Sequence, residues 1–323
     1  MAAPTISVTA PGATRASHGL WRDALRRLIR NKPAVLGMVC IVIFVAAAIL
    51  APVIAPYGPL AGTLADRYQP PNAAHLLGTD TQGRDELTRI LYGAQVSLQV
   101  GVIAVIMALI MGGIIGAVAG GVGGRIDAVL MRIVDVLLAI PGILLAIGII
   151  AWLDRGILQL MLAIAVTYVP IFARLLRGSL LALRESDYVT AARSIGASRM
   201  RILLRHMLPN ALTPIIVAAT LVLATAIIDI AGLGFLGLGP PDPRTAEWGT
   251  MLTDVERYFQ SAVFLAIFPG VAIVLSVLGF NLIGDGLREA LDPKLRGRTE
   301  RYRERRRFWW FLGLRGRGAF RGV

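Results

Sequence analysis

Six runs of about 20 or more mostly apolar residues divide this chain of 323 residues: Ala34–Ile54, Val96–Val122, Ala128–Trp152, Ile157–Leu176, Ala211–Leu233 and Val263–Leu287. The fourth reaches full length only with its polar ends. Runs of that length match the thickness of a bilayer's hydrocarbon core. Lipid offers no partner to a backbone amide or carbonyl, so each run must be a helix. The expected fold is therefore an all-α polytopic membrane protein with six transmembrane helices. The composition agrees: 56% of residues are hydrophobic and 16% are charged.

Charge sets the orientation. With the N-terminus inside, the inner segments hold Arg15, Arg22, Arg26, Arg27, Arg30, Lys32, Arg125, Arg132, Arg174, Arg177, Arg184, Arg193, Arg199, Arg201, Arg205 and every Lys or Arg from Arg288 onward. The outer segments hold only Arg67, Arg84, Arg89, Arg155, Arg244 and Arg257. An excess of this kind marks the cytoplasmic side, so both termini are expected there. The outer loops instead carry acids: Asp66, Asp80, Asp85, Glu86, Asp242, Glu247, Asp254 and Glu256.

The expected layout has five parts. Residues 1–33 form a cytoplasmic tail with no cleavable signal and a short basic amphipathic helix, Leu20–Ile29, at the inner surface. Residues 34–54 are the first span. Residues 55–95 are an extracytoplasmic segment whose later part begins a short helix at Asp85 and Glu86, with Leu87, Ile90 and Leu91 on one face. Residues 96–287 hold the other five spans and a polar loop, 185–209. Residues 288–323 form a basic tail in which Phe308, Trp309, Trp310 and Phe311 stand among arginines, a composition suited to an anionic membrane surface rather than to nucleic acid.

Much chemistry is excluded. Cys40 is the only cysteine, so no internal disulfide or multi-cysteine zinc site can form. His18, His75 and His206 are dispersed and read as structural. A phosphate-binding loop needs Gly-Lys-Ser/Thr, whereas Lys32 follows Asn31 and Lys294 follows Pro293. No catalytic, metal or cofactor site is expected. The span interiors lack the buried charges of an ion-driven carrier. Asp127 and Asp135 flank Arg132, which suggests a local ion pair. Asp229 could line a path or cap backbone. The glycines of Met111–Gly124 suit close helix packing or a sliding helix, and Pro141, Pro170 and Pro269 should kink their helices.

The loop 185–209 is the most structured polar segment. Ser186 or Asp187 can cap a first short helix ending near Ile195, and Gly196 suits the left-handed residue that terminates it. Ser198 can cap a second helix through His206, and Pro209 should mark the entry to the next span. Ala191 and Ala192 would offer one flat face to a docking partner, ringed by Arg193, Arg199, Arg201 and Arg205.

This loop resembles the coupling loop of permease subunits of bacterial ABC importers. That pattern has Glu-Ala-Ala, a Gly four residues after the second Ala, and Leu-Pro beyond. Thr190, Ala191, Ala192, Gly196, Leu208 and Pro209 stand at those spacings, with Thr190 in place of Glu and His206 in place of Ile. Leu76–Asp85, Gly234–Gly239 with Trp248 and Gly249, and Gly284–Pro293 are similar to the second permease of dipeptide, oligopeptide and nickel importers, the DppC/OppC-like group. The likeness runs from about Lys32 to Pro293. It implies the type I importer permease fold and a coupling site at Asp187, Thr190, Ala191, Ala192, Arg193, Gly196, Ala197, Arg201, Leu208 and Pro209. It also implies a homologous second permease, two ATPase subunits that carry ATP and Mg, an extracytoplasmic solute-binding protein, and a bacterial or archaeal cytoplasmic membrane. Peptides or a related small solute would be the cargo.

Overall fold

The computed structural model describes residues 20–242, 244–253, 255 and 262–291. The basic aromatic tail and His18 lie outside them. The described residues are almost wholly helical, with isolated bridges between Gly62 and Arg84 and between Thr79 and Asp85. The helices are α1 (Leu20–Leu28), α2 (Lys32–Ile54), α3 (Glu86–Val122), α4 (Gly124–Ala139), α5 (Gly142–Leu153), α6 (Ile157–Arg184), α7 (Asp187–Ser194), α8 (Arg199–Leu238), α9 (Trp248–Met251) and α10 (Phe264–Leu291). Five of them are long and apolar enough to cross a membrane, and α4 with α5 makes a sixth if the bent pair is one span.

Three boundaries differ from expectation, each for a backbone reason. The short outer helix and the second span are one helix of 37 residues. It starts where the Asp85 carboxylate accepts from the Thr88 amide and hydroxyl, both at 2.8 Å. At about 1.5 Å per residue it is ~55 Å long, well over the ~30 Å hydrocarbon thickness, so its first turns stand outside the bilayer. The third span is not one helix. It turns by 96° between α4 and α5, because Pro141 drives Ile140 into extended backbone (φ −91°, ψ 128°). At the third boundary, Pro209 ends nothing. α8 runs 40 residues through it, since a π-turn at Ile202–Met207 carries the Leu208 amide to the Leu203 carbonyl and absorbs the missing proline donor. Pro170 and Pro269 also sit inside continuous helices.

The core is built where α3, α6 and α8 meet, around Val100, Ala104, Ala108, Leu160, Ile164, Phe172, Leu176, Ala226 and Ile230. Gly112, Gly116 and Gly120 repeat every fourth residue along the α3 face that meets α6. A Cβ on Gly112 would lie 2.5 Å from the Val169 carbonyl oxygen, one on Gly116 2.5 Å from that of Ala173, and one on Gly120 3.0 Å from Leu180 Cβ. The glycine-rich stretch is thus a close-packing seam. α2 lies along α10, where Gly37 faces Gly279. α1 docks Ala24 and Leu28 against Ala290 of α10, while Leu25 and Ile29 stay exposed.

The helix ends opposite the 185–209 loop are stapled by a buried polar plug. Glu247, fully buried, accepts from the Gly249 and Thr250 amides at 2.8 Å and from the Ser97 hydroxyl at 3.2 Å. Burial pushes its carboxyl up from the ordinary value, while the two amides pull it down. Trp248 donates its indole N–H to the Ile90 carbonyl and meets Phe44 edge-on at 5.5 Å. It thereby ties α2, α3 and α9 together. Trp248→Ala should cost about 3–5 kcal/mol, read as a lowered thermal midpoint of the purified protein in detergent. An unchanged midpoint would remove Trp248 from that role.

Candidate coupling site

The loop between α6 and α8 is built by its caps. Ser186 stands at the N-cap of α7, where its carbonyl takes the Val189 and Thr190 amides, each at 3.1 Å; its hydroxyl donates backward to the Leu183 carbonyl. At the other end the Gly196 amide reaches the Arg193 carbonyl at 3.0 Å and the Ala197 amide reaches the Ala192 carbonyl at 3.1 Å. These two bonds are a Schellman cap, and they require a left-handed residue at its turn. Gly196 supplies it at φ +81°. The spacing of Ala192 and Gly196 is therefore cap geometry. Ser198 then accepts from the Arg201 amide at 3.4 Å and opens α8.

This geometry separates the two alanines. Ala192 is buried with Val189 in the main core, and Ala197 and Leu208 pack against it. Ala191 is exposed, as are Asp187, Thr190, Arg193, Gly196, Arg201 and Pro209. The expected flat face containing both alanines is thus corrected: neighbours on a helix lie about 100° apart, and only Ala191 looks outward. The sequence reading missed what stands beside it. Tyr188, Ala191 and Ile195 are spaced i, i+3, i+7, and Ile195 is 86% exposed. Met200 and Leu204 are exposed beyond it. Apolar residues stranded in a polar loop were the available signal.

Two ion pairs brace the helix that leads into the loop. Arg177 of α6 forks onto Asp127 of α4 at 2.5 and 2.7 Å, and Arg174 reaches Asp135. The expected local pairing of these acids with Arg132 is replaced by pairing across helices, because the bend in the third span lays α4 against α6. Deeper in the bundle, Asp229 accepts from the Tyr168 hydroxyl at 2.7 Å, which makes it an interhelix tie. His75 lies 3.0 Å from Asp85 and His206 sits on the π-turn of α8, so the structure brings no two of the described histidines together. Among the described residues no group of His, Cys, Asp or Glu could hold a metal ion.

On the opposite side of the bundle two of the other motifs converge, while Gly284 and Gly286 of the third pack against α8, α1 and α2. Gly234 of the glycine-rich turn Gly234–Leu238 packs against the Glu247 carboxylate and the Gly249 backbone. Asp80, from the segment Leu76–Asp85, holds the Arg84 side chain at 2.6 Å and Arg89 at 3.3 Å.

Residues 112–297 match the family model described as binding-protein-dependent transport system inner membrane component, and residues 19–71 match the N-terminal TM domain of oligopeptide transport permease C. The chain is 49% identical over 276 residues to a dipeptide transport system permease protein of Alkalihalophilus pseudofirmus, covering 85% of this chain and 90% of that one. It is 51% identical over 273 residues to the corresponding protein of Escherichia coli K12, covering 83% and 91%. It is 47% identical over 284 residues to a glutathione transport system permease protein of Shigella flexneri, covering 86% and 91%. In fold it is similar to a chain of the MetNI methionine ABC transporter in an inward-facing conformation, with a TM-score of 0.54 and 21% identity over 62% of this chain and 96% of that one. The chain belongs to the family of binding-protein-dependent transport system inner membrane components, as a permease subunit of an ABC importer.

Proposed function

We propose that this permease forms half of a translocation pathway for short peptides and is driven through α7 by a separate ATPase subunit. The observation that carries the coupling half is the capped loop: α7 buries Val189 and Ala192 in the core while presenting Tyr188, Ala191 and Ile195 outward. Such an element cannot be pushed without moving the helices it is packed on. Asp187, Thr190, Arg193, Gly196, Ala197, Arg201, Leu208 and Pro209 shape or surround it. The sequence contains no phosphate-binding loop, which supports placing ATP and Mg on partner subunits and leaving this chain with no cofactor and no catalysis. The names of the dipeptide and glutathione relatives support a peptide cargo.

The same reading sets both termini and α7 in the cytoplasm of a prokaryotic cell, from the arginine excess on that side. It pairs this chain with a second, homologous permease, two ATPase subunits and an external solute-binding protein. Affinity purification of the tagged protein from its native membrane in mild detergent tests the assembly. Recovery of a second permease and an ATPase is expected. A chain that stays alone under conditions preserving other membrane complexes overturns the proposal, and uptake that outlives the ATPase but collapses with the proton gradient replaces it with an ion-driven carrier.

A further inference from the structure

We infer that the root of the coupling loop holds the phosphate headgroup of an anionic phospholipid of the inner leaflet. A pocket of about 370 Å³ opens there, between the end of α3, the end of α6 and the start of α8. Arg184, Arg193 and Arg199 line it. None of the three has an acidic partner among the described residues: the ion pairs of this region engage Arg174 and Arg177 instead. Glu185 and Asp187 are the acids nearest in sequence, and neither pairs with them. All three are exposed to solvent, and the carbonyl ends of α3 and α6 add only a partial counter-charge. Three guanidinium groups around one concavity form a strong anion site, since each offers a planar fork matched to phosphate oxygens.

The rest of the lining argues for a lipid over a free ion. Ile202, Leu203 and Met207 supply an apolar wall, and Leu203 packs onto Gly121, where a Cβ would stand 2.6 Å from it. A solvated phosphate gains nothing from such a wall, whereas a glycerol backbone and the first acyl carbons do. The inference rests on the cytoplasmic placement of α7 and adds a ligand to it. Basic pockets between helices on that side suit anionic headgroups.

The test is native mass spectrometry of the intact importer complex in detergent, titrated separately with phosphatidylglycerol, phosphatidylcholine and inorganic phosphate. The variant R184Q/R193Q/R199Q is compared with R125Q/R132Q/R205Q, which removes equal charge from the same side but outside the pocket. Retention of phosphatidylglycerol over phosphatidylcholine is expected in the wild type and in the second variant. The pocket variant should lose that retention by roughly 100-fold, at about a factor of five per arginine. Equal loss in both variants means only diffuse surface charge, and overturns the site. Inorganic phosphate binding as tightly as the lipid makes it a free-anion site, and overturns the lipid. Lipid that binds the permease pair but is excluded when the ATPase is present assigns the arginines to an acidic patch of that subunit, and likewise overturns it. Thermal midpoints of the variants report folding. Labelling of a cysteine introduced at Ser194 from the two sides of the membrane reports the orientation, so its failure is distinguishable from failure of the pocket.

Discussion

Ala191→Trp leaves the importer folded and inserted but lowers peptide uptake at least about tenfold, the equivalent of roughly 1.4 kcal/mol of lost docking. Ala192→Trp lowers uptake too, but by another route. Ala191 lies on the outward side of α7, where an indole meets solvent in the free chain and collides with whatever seats there. Ala192 is 8% exposed and sits in the core with Val189. A large side chain at that site overpacks it by about 1–3 kcal/mol, and it also displaces the residue whose carbonyl closes the helix cap. The measurement is uptake of a labelled dipeptide set beside the amount of protein in the membrane, its thermal midpoint and the ATPase recovered with it. Ala191→Trp should keep the first two and lose uptake and ATPase. Ala192→Trp should lower the midpoint as well. Wild-type uptake by Ala191→Trp would sink the role of this face in coupling.

Gly116→Ala and Gly113→Ala should move stability in opposite directions, although they are three residues apart on one helix. A methyl group on Gly116 would stand 2.5 Å from the Ala173 carbonyl oxygen and 3.0 Å from Leu176 Cβ. Backbone cannot step aside as a side-chain tip can, so α3 and α6 must separate along the glycine seam, at a cost toward the upper end of about 1–3 kcal/mol. Around Gly113 there is no atom within 4 Å of the added carbon. There the substitution only removes glycine's backbone freedom, and gains about 0.5–1 kcal/mol in a helix interior. Thermal unfolding in detergent gives the sign of each. A Gly116→Ala protein as stable as the wild type would show that the seam has slack, which is the property a sliding helix would need.

The spans were legible because hydrocarbon thickness imposes a minimum apolar run, and that constraint is local. Their joints were less so. Pro141 announces a break, but the 96° turn is decided by what α4 and α5 pack against. Pro209 looks like a stop and is not, because a π-turn ending two residues earlier, at Met207, shifts the hydrogen-bond register, and its only trace is in the backbone. Gly93 does not interrupt α3: a Cβ there would stand 2.8 Å from the Trp248 ring, so the glycine serves packing. Asp127 and Asp135 pointed to an ion pair, yet their partners lie 50 and 39 residues away on a helix whose position the sequence does not give. In the loop, the Ala192–Gly196 spacing fixed the cap, whereas which alanine faced outward depended on where the bundle lay.

α8 joins the two sides of the membrane, leaving helical backbone only near its end, at Gly237 (φ +74°). Its 40 residues span ~60 Å, and its irregular turns sit at its two extremities, at Ile202–Met207 beside the loop and at Gly234–Leu238 against Glu247. That is the anatomy of a connecting rod with a bearing at each end. On the proposed coupling role, the regular helix between the two turns would carry a displacement from one to the other, and timing between the two faces would be set by mechanics rather than by diffusion of a signal.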